Sequence, residues 1–470
     1  MSTVIATIRG GERRPIAADL RDAEGSPQRR LRSNRISLIL VAAVVLVALG
    51  AGIAPALLGQ PNVERDFGWI AAATIFASSY VTLAIGRIPG LALDRAGIAL
   101  VGAALMVACG ALPLDEAYRA VDLDTLTLLL GMMIVVAHLR LSGFLSSASG
   151  WVMRRTHRPL MRLAAITAIA GVLSAFLVND AICLVLAPLV IELARSSRRN
   201  PVPYLLAVAT ASNVGSAATI TGNPQNMIVG SLSHIGYADF TAVLGPVALI
   251  GIVLTAVLIA LLHRRDLASS ERLEPDLPTP GIDRVMVIRV LTGTAGLLVL
   301  LFAGQPPAKA AIVIGALLLL TRRVRSERVY AEIDWSLLLM FAGLFVIVAG
   351  AERTLLNSDL AASVERLHLD RVPVLSGLTA ILSNLVSNVP AVLLLKPFVV
   401  SLSDQRTAWL TVAMASTLAG NFTVLGSIAN LIVVQCAAAN GIVIGFWDYF
   451  KVGAPLALLT LALGTLWLWL

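Results

Sequence analysis

Four short polar interruptions lie inside long apolar stretches of the chain, and their residue types suit ion and anion binding. The stretch 160–195 is broken by Val178-Asn179-Asp180, and 371–402 by Ser387-Asn388-Val389-Pro390. Two helical stretches are broken further on. One reads SNVGSAATITGNPQN over 212–226, with Ser212, Asn213, Gly215, Thr219, Gly222, Asn223 and Asn226 as candidate ligands. The other reads STLAGNFTVLGSIAN over 416–430, with Thr423, Gly426, Ser427 and Asn430. Gly, Asn and Pro interrupt helices, and Ser, Thr and Asn supply neutral oxygens and amide donors. A helix N-terminus at such a break offers positive dipole to an anion, and the carbonyls and hydroxyls of a C-terminal end suit Na⁺. Unpaired backbone at membrane depth costs several kcal/mol per group unless protein, water or ligand satisfies it. Four breaks in two related pairs therefore point to a binding site.

Asp180 is the one carboxylate well inside an apolar stretch, a placement that marks ion or proton pathways. Lys396 is its cationic counterpart, facing the substrate path or snorkelling to the surface. Enzyme signatures are missing: no P-loop, HExxH, GxSxG or Rossmann fingerprint. The reading is of a non-enzyme with no catalytic residue and no cofactor. Cys109, Cys183 and Cys436 lie in apolar segments without CxxC spacing, and the five histidines are scattered, so no metal site is expected beyond a coupling ion.

The elements that hold these residues belong to a polytopic membrane protein. Apolar residues make up 57% of the 470 and charged residues 14%, too few charges to cover a soluble globule of this size. The apolar runs are about 20 residues long and continuous, which indicates spanning helices. Net charge is 36 − 28 = +8. Arg clusters between apolar runs fit the positive-inside rule, without the aromatic interleaving of a nucleic-acid surface. The expected organisation is a cytoplasmic tail 1–35, an extra N-terminal span 36–58, a first repeat 68–262, a cytoplasmic linker 263–284 and a second repeat 285–470. The first repeat holds a hairpin 160–195 and a broken helix 201–234, and the second a hairpin 371–402 and a broken helix 407–438.

Internal similarity supports the duplication. Aligning Ala209–Val229 with Ala413–Val433 matches Ser212 with Ser416, Thr219 with Thr423, Gly222 with Gly426 and Asn226 with Asn430. Aligning Leu173–Val190 with Leu382–Val399 matches Ser174 with Ser383, Asn179 with Asn388 and Pro188 with Pro397. If 160–195 and 371–402 are re-entrant, each repeat crosses five times and the second is inverted. The basic loops then fall inside, with the N-terminus in the cytoplasm. The fold expected is an all-α inverted repeat of about 11 transmembrane helices, two re-entrant hairpins and two broken helices, in the plasma (inner) membrane.

At VNDAICLVLAP (178–188), SNVGSAATITGNPQN (212–226), SNVPAVLLLKP (387–397) and TLAGNFTVLGSIAN (417–430), the sequence resembles the ion transporter superfamily, in its arsenite-permease and citrate-permease-like branch, related to divalent anion/sodium symporters. The resemblance covers about 68–470. It implies Na⁺ binding at the hairpin tips, through Ser174, Asn179, Ser383 and Asn388 here, and also an elevator motion and a homodimer. The symporters carry Ser-Asn-Thr at each tip. Here Val178 cannot coordinate, Asp180 adds charge and Val389 removes a hydroxyl, which shifts the expectation from dicarboxylate recognition towards proton coupling. The leading expectation is a secondary transporter of a small anion coupled to H⁺ or Na⁺. The alternatives are an arsenite or antimonite efflux permease, with Cys183 or Cys436 near the site, and a Na⁺/H⁺ antiporter. A channel or scaffold has no use for two occluding hairpins or a buried Asp180.

Overall fold

The computed structural model describes residues 61–85, 93–156, 158–267, 283–320, 323–355 and 367–470. The tail 1–35, the span 36–58 and most of the linker 263–284 lie outside the described residues. The described chain is helical, with no strand among the described residues. The first half runs α1 (Pro61–Ile85), α2 (Arg95–Ala108), α3 (Leu114–Ala120), α4 (Leu123–Leu141), α5 (Phe144–Arg155), α6 (Pro159–Phe176), α7 (Asn179–Ser196), α8 (Val202–Ser216), α9 (Pro224–Ser233), α10 (Tyr237–Leu262) and α11 (Arg264–Leu267). The second runs α12 (Arg284–Phe302), α13 (Pro307–Leu319), α14 (Ser326–Tyr330), α15 (Trp335–Leu355), α16 (Val372–Val386), α17 (Asn388–Val400), α18 (Gln405–Ala419), α19 (Ile428–Ala439) and α20 (Phe446–Trp469). Six of these helices are long and apolar enough to cross a bilayer: α4, α6, α10, α12, α15 and α20. The short α3, α5, α11 and α14 carry Arg, Asp, Glu or Ser and so escape a search for apolar runs.

Local chemistry sets the helix starts. Asp94, Asp122, Asp283 and Asp404 cap α2, α4, α12 and α18, each accepting from backbone N–H groups of the first turn. Proline opens α6, α9 and α13, where the missing N–H costs nothing. Leu249, Val253 and Leu261 of α10 are exposed, as lipid-facing residues of a spanning helix are.

The two halves pack against each other through helices at matching places in their order. α2 packs along α15, and its counterpart α13 packs along α4. Each contact closes on a glycine. A Cβ on Gly343 would meet the Ala99 backbone at 2.6 Å, and one on Gly131 would meet the Ala311 backbone at 2.5 Å. No side chain fits at either place, so the backbones meet directly. α6 packs on α8 as α16 packs on α18, and α10 meets α20 across the middle.

Candidate functional site

Both interrupted apolar stretches turn back on themselves. Buried Arg162, in the first turn of α6, donates from its guanidinium to Ser197 Oγ just past the end of α7, at 2.9 Å. The two ends of the first helix pair therefore share one side, and Leu177-Val178 forms the tip. In the second pair, Val372 and Leu375 from the start of α16 line one cavity with Leu402 and Ser403 from just past α17. Its tip is Ser387, held at φ +79° and ψ 157°. That conformation is almost confined to glycine and is strained for serine.

The broken helices lock the centre. Asn226 Nδ2 donates to the carbonyls of Ser216 (3.1 Å) and Thr219 (2.9 Å), and Asn430 Nδ2 donates to those of Gly420 (2.8 Å) and Thr423 (3.2 Å). Carbonyls freed where α8 and α18 end are thus satisfied by the matching Asn of each half. The halves then exchange bonds. Asn213 Nδ2 donates to Asn430 Oδ1 (3.0 Å), and Thr417 Oγ1 donates to Asn226 Oδ1 (3.2 Å). Ser427 Oγ donates to Asn213 Oδ1 (2.9 Å), and Asn223 Nδ2 donates to Thr417 Oγ1 (3.2 Å). Asn213 and Thr417 occupy equivalent positions, so one two-fold pattern is written twice, in amide and hydroxyl.

The hairpin tips join this centre. Asn179 Nδ2 donates to Asn213 Oδ1 at 3.0 Å. The Asn388 amide nitrogen faces the carbonyls of Ser416 (3.1 Å) and Gly426 (3.2 Å). The hydroxyl of Thr219 binds the Ala175 carbonyl, tying the first break to the end of α6.

Asn179, Asp180, Gln225, Asn388 and Ser427 line one small cavity of about 40 Å³, together with Arg95. Four helices, two from each half, begin at this cavity: α7 at Asn179, α9 at Pro224, α17 at Asn388 and α19 at Ile428. Each turns the positive end of its dipole to the cavity, and α9 and α19 are also capped by the side chains of Asn223 and Ser427. The far wall comes from Leu83 of α1, Arg95 of α2, and Leu337 and Met340 of α15. Since Arg95, Leu337 and Met340 are early residues of their helices, the cavity lies toward the face where α2 and α15 begin.

Of the candidates from sequence, Asn179, Asp180, Ser387, Asn388 and Ser427 line the cavity. Asn213, Thr219, Asn223, Asn226 and Asn430 lie behind it as the hydrogen-bonded support. Gly215 and Gly222 give close approach: a Cβ on Gly215 would strike the Gly171 carbonyl oxygen at 2.0 Å, and one on Gly222 the Ser216 carbonyl oxygen at 2.2 Å. Thr423 gives its carbonyl to Asn430, and Gly426 faces Asn388. Ser212 sits 3.0 Å from Cys183 Sγ in the core. Ser174 and Ser383 are buried with hydroxyls lacking any partner, and Asn179 Oδ1 is likewise bare.

Asp180 makes no hydrogen bond or ion pair among the described residues and faces the cavity, so it does not cap its own helix. Lys396 pairs with Glu352 of α15 at 3.3 Å instead of snorkelling. Sequence reading passed over Glu352, which sits beyond the apolar run 334–350, although an unpaired Lys396 in an apolar helix was the signal for it. It also passed over Arg95 and Gln225. Arg95 opens an apolar run and resembles any loop arginine, whereas Gln225 lies inside the polar GNPQN and could have been found there. No cysteine lines the cavity. Cys183 is wholly buried, and among the described residues no three His, Cys, Asp or Glu side chains cluster.

A family model described as citrate transporter matches residues 80–419. An uncharacterised transporter of Mycobacterium tuberculosis is 31% identical over 431 residues, covering 85% of this chain and 98% of its own. The silicon efflux transporter LSI3 of Oryza sativa is 29% identical over 453 residues, covering 80% of this chain and 93% of its own. The crystal structure of the Alcanivorax borkumensis YdaH transporter superposes with a TM-score of 0.52 at 16% identity, covering 85% of this chain and 97% of that one. The last is a likeness of fold.

Proposed function

Since the chain belongs to the citrate transporter family and is an integral membrane transporter, we propose that it moves a small anion by secondary active transport, coupled to H⁺ or Na⁺, through alternating access. The observation that carries this reading is the meeting of four helix N-termini, two from each repeat, at one cavity. Their summed dipoles favour an anion there, as in other transporters with discontinuous helices. The repeats are 68–262 and 285–470, and the hairpin tips with the broken helices form the moving unit, one homodimer carrying two such units. With basic loops inside, the N-terminus lies in the cytoplasm of a cell bounded by the plasma membrane. The cavity side of α2 and α15 is then cytoplasmic.

At about 40 Å³ the cavity has room for only a few waters, so a substrate the size of a di- or tricarboxylate enters only when the wall of α1, α2 and α15 separates from the tips. Bare Ser174 Oγ, Asn179 Oδ1 and Ser383 Oγ support Na⁺ beneath the tips, with Asn388. The unpaired carboxylate of Asp180 supports H⁺. A second reading, efflux of a metalloid or silicon oxyacid, draws on the arsenite-permease resemblance and on the names of relatives such as the rice silicon efflux transporter. It would run without thiol ligation, because no cysteine reaches the cavity.

Purified protein in liposomes, offered citrate, succinate, sulfate, phosphate, arsenite, antimonite and silicate with and without Na⁺ or a pH gradient, tests both readings. Accumulation of one solute only under an ion gradient is expected, with at least a tenfold loss in Asn179→Ala and Asn388→Ala. Gradient-driven uptake that survives both substitutions unchanged removes the site. Movement of Na⁺ against H⁺ with no anion replaces anion transport by cation exchange.

A further inference from the structure

We infer that Arg95 is a substrate-contacting residue, which holds the anion from the α1–α2–α15 side of the cavity and sets its preference for charge. The inference rests on the anion-transport reading above.

Four observations carry it. Arg95 lines the cavity that the hairpin tips and broken helices close, and it is the one cationic side chain there among the described residues. It makes no hydrogen bond or ion pair among the described residues, although ion pairs hold Arg140, Arg323, Arg353 and Arg406 elsewhere. The carboxylates beside it in sequence and space are engaged as caps. Asp94 Oδ1 accepts from the Gly97 N–H at 2.8 Å and its other oxygen from Ser336 Oγ at 3.4 Å, while Asp334 Oδ1 accepts from the Leu337 N–H at 3.0 Å. Finally, Arg95 is the first residue of α2, where a cation opposes the helix dipole. Neither helix stability nor a structural partner explains a permanently charged, half-buried guanidinium at this place.

Its planar fork of donors matches a carboxylate or other oxyanion. The α7, α9, α17 and α19 N-termini face it across the cavity, so an anion between them receives positive charge from both walls. Asp180 lines the same cavity and is also unpaired. One cationic and one anionic side chain, both bare, define a position that an anion fills by contacting Arg95 and avoiding, or donating a proton to, Asp180. Because α1, α2 and α15 supply one wall and the tips the other, a ligand gripped by both resists their separation. Arg95 therefore acts in the state that faces the α2 N-terminus and is lost as a contact once the tips move away.

The experiment is a thermal-shift titration of detergent-purified full-length protein with citrate, sulfate and phosphate. In Arg95→Gln the concentration needed for half-maximal stabilisation rises about 10- to 100-fold, the loss of one charged hydrogen-bonding partner. Arg95→Lys recovers part of that loss. Arg119→Gln, a surface charge on α3 outside the cavity, matches the wild type. Wild-type binding that Arg95→Gln leaves unchanged overturns the role of Arg95 and leaves anion transport standing. Absence of stabilisation of the wild type by all three anions overturns both. Should Arg95→Gln fail to fold, the wild type still decides. Phenylglyoxal modification of Arg95, followed by peptide mass spectrometry, slows at least fivefold when a stabilising anion is present, and equal rates with and without it overturn the assignment.

Discussion

The two hairpins share a sequence pattern but are fastened differently. In the first, Arg162 clamps the base to Ser197, Thr219 bonds back to the end of α6, and the tip residue Asn179 reaches Asn213 in the crossing of the broken helices. In the second, the tip turns through a strained Ser387, and α17 is tied outward by Lys396 to Glu352. Along its flank runs an apolar groove of about 770 Å³ between α16, α18 and α20, into which Ile381 and Leu385 are exposed. The matching tip position is Asp180 in the first and Val389 in the second. Tip charge thus sits on the firmly packed hairpin, and looseness on the one whose tip is uncharged. This division suits a transporter in which one hairpin senses the coupling ion and the other opens.

The comparison breaks most sharply at that aligned position. Asp180→Asn is expected to lower gradient-driven uptake about 100-fold and to flatten its dependence on pH, while Val389→Ala changes uptake less than threefold. Counterflow of labelled substrate without a gradient should persist in Asp180→Asn, since the anion site keeps its four helix N-termini. Equal losses at both positions would mean that the two tips do not divide the labour.

Amide hydrogen exchange sharpens the difference in mobility. Backbone amides of α16 and α17 should exchange about 10- to 100-fold faster than those of α6 and α7, because local opening of a hairpin with fewer bonds to its neighbours costs less. Matching rates would place the gate elsewhere. The fastening of α17 offers a smaller effect. Lys396→Met leaves the Glu352 carboxylate without its partner and should lower stability by about 1–2 kcal/mol. Glu352→Leu added to it should restore most of that loss. A melting-temperature cycle over the wild type, the two singles and the double measures the coupling, and additive losses would dismiss the pair as a tether.

Much of this arrangement was legible in the sequence, because breaks in apolar helices demand polar residues and duplication repeats them in register. The Asn226 and Asn430 pair shows this: each satisfies carbonyls only a few residues upstream, a local requirement that a sequence states directly. The exchange between Asn213 and Asn430, or Thr417 and Asn226, joins residues about 200 apart and follows from how the halves pack. Arg95 escaped for a related reason. Its neighbours in sequence are those of a loop arginine at a membrane face, and only the approach of the hairpin tips to the α2 N-terminus leaves it bare in a cavity.

The helices that follow the two hairpins differ at their caps as well, and this gives the smallest expected effect. α18 begins at Asp404, whose carboxylate accepts from the Thr407 N–H at 3.0 Å, while α8 begins at Pro201 with no side-chain cap. The Thr407 amide and hydroxyl hold the Asp404 carboxyl below its ordinary range. A carboxyl depressed in the folded state contributes stability that is present above its unfolded pKa of about 3.9 and fades as pH falls through the lower folded value. Asp404→Ala should therefore cost about 1 kcal/mol at neutral pH and progressively less below about pH 4. Removing the Pro201 side chain by Pro201→Ala should give a pH-independent change. Melting curves of both variants from pH 7 to pH 3 decide it: a penalty for Asp404→Ala that stays constant across this range would show that the cap works as a neutral acceptor. The second broken helix would then owe nothing to charge at its start, and the electrical asymmetry between the halves would reside at Asp180 and Arg95.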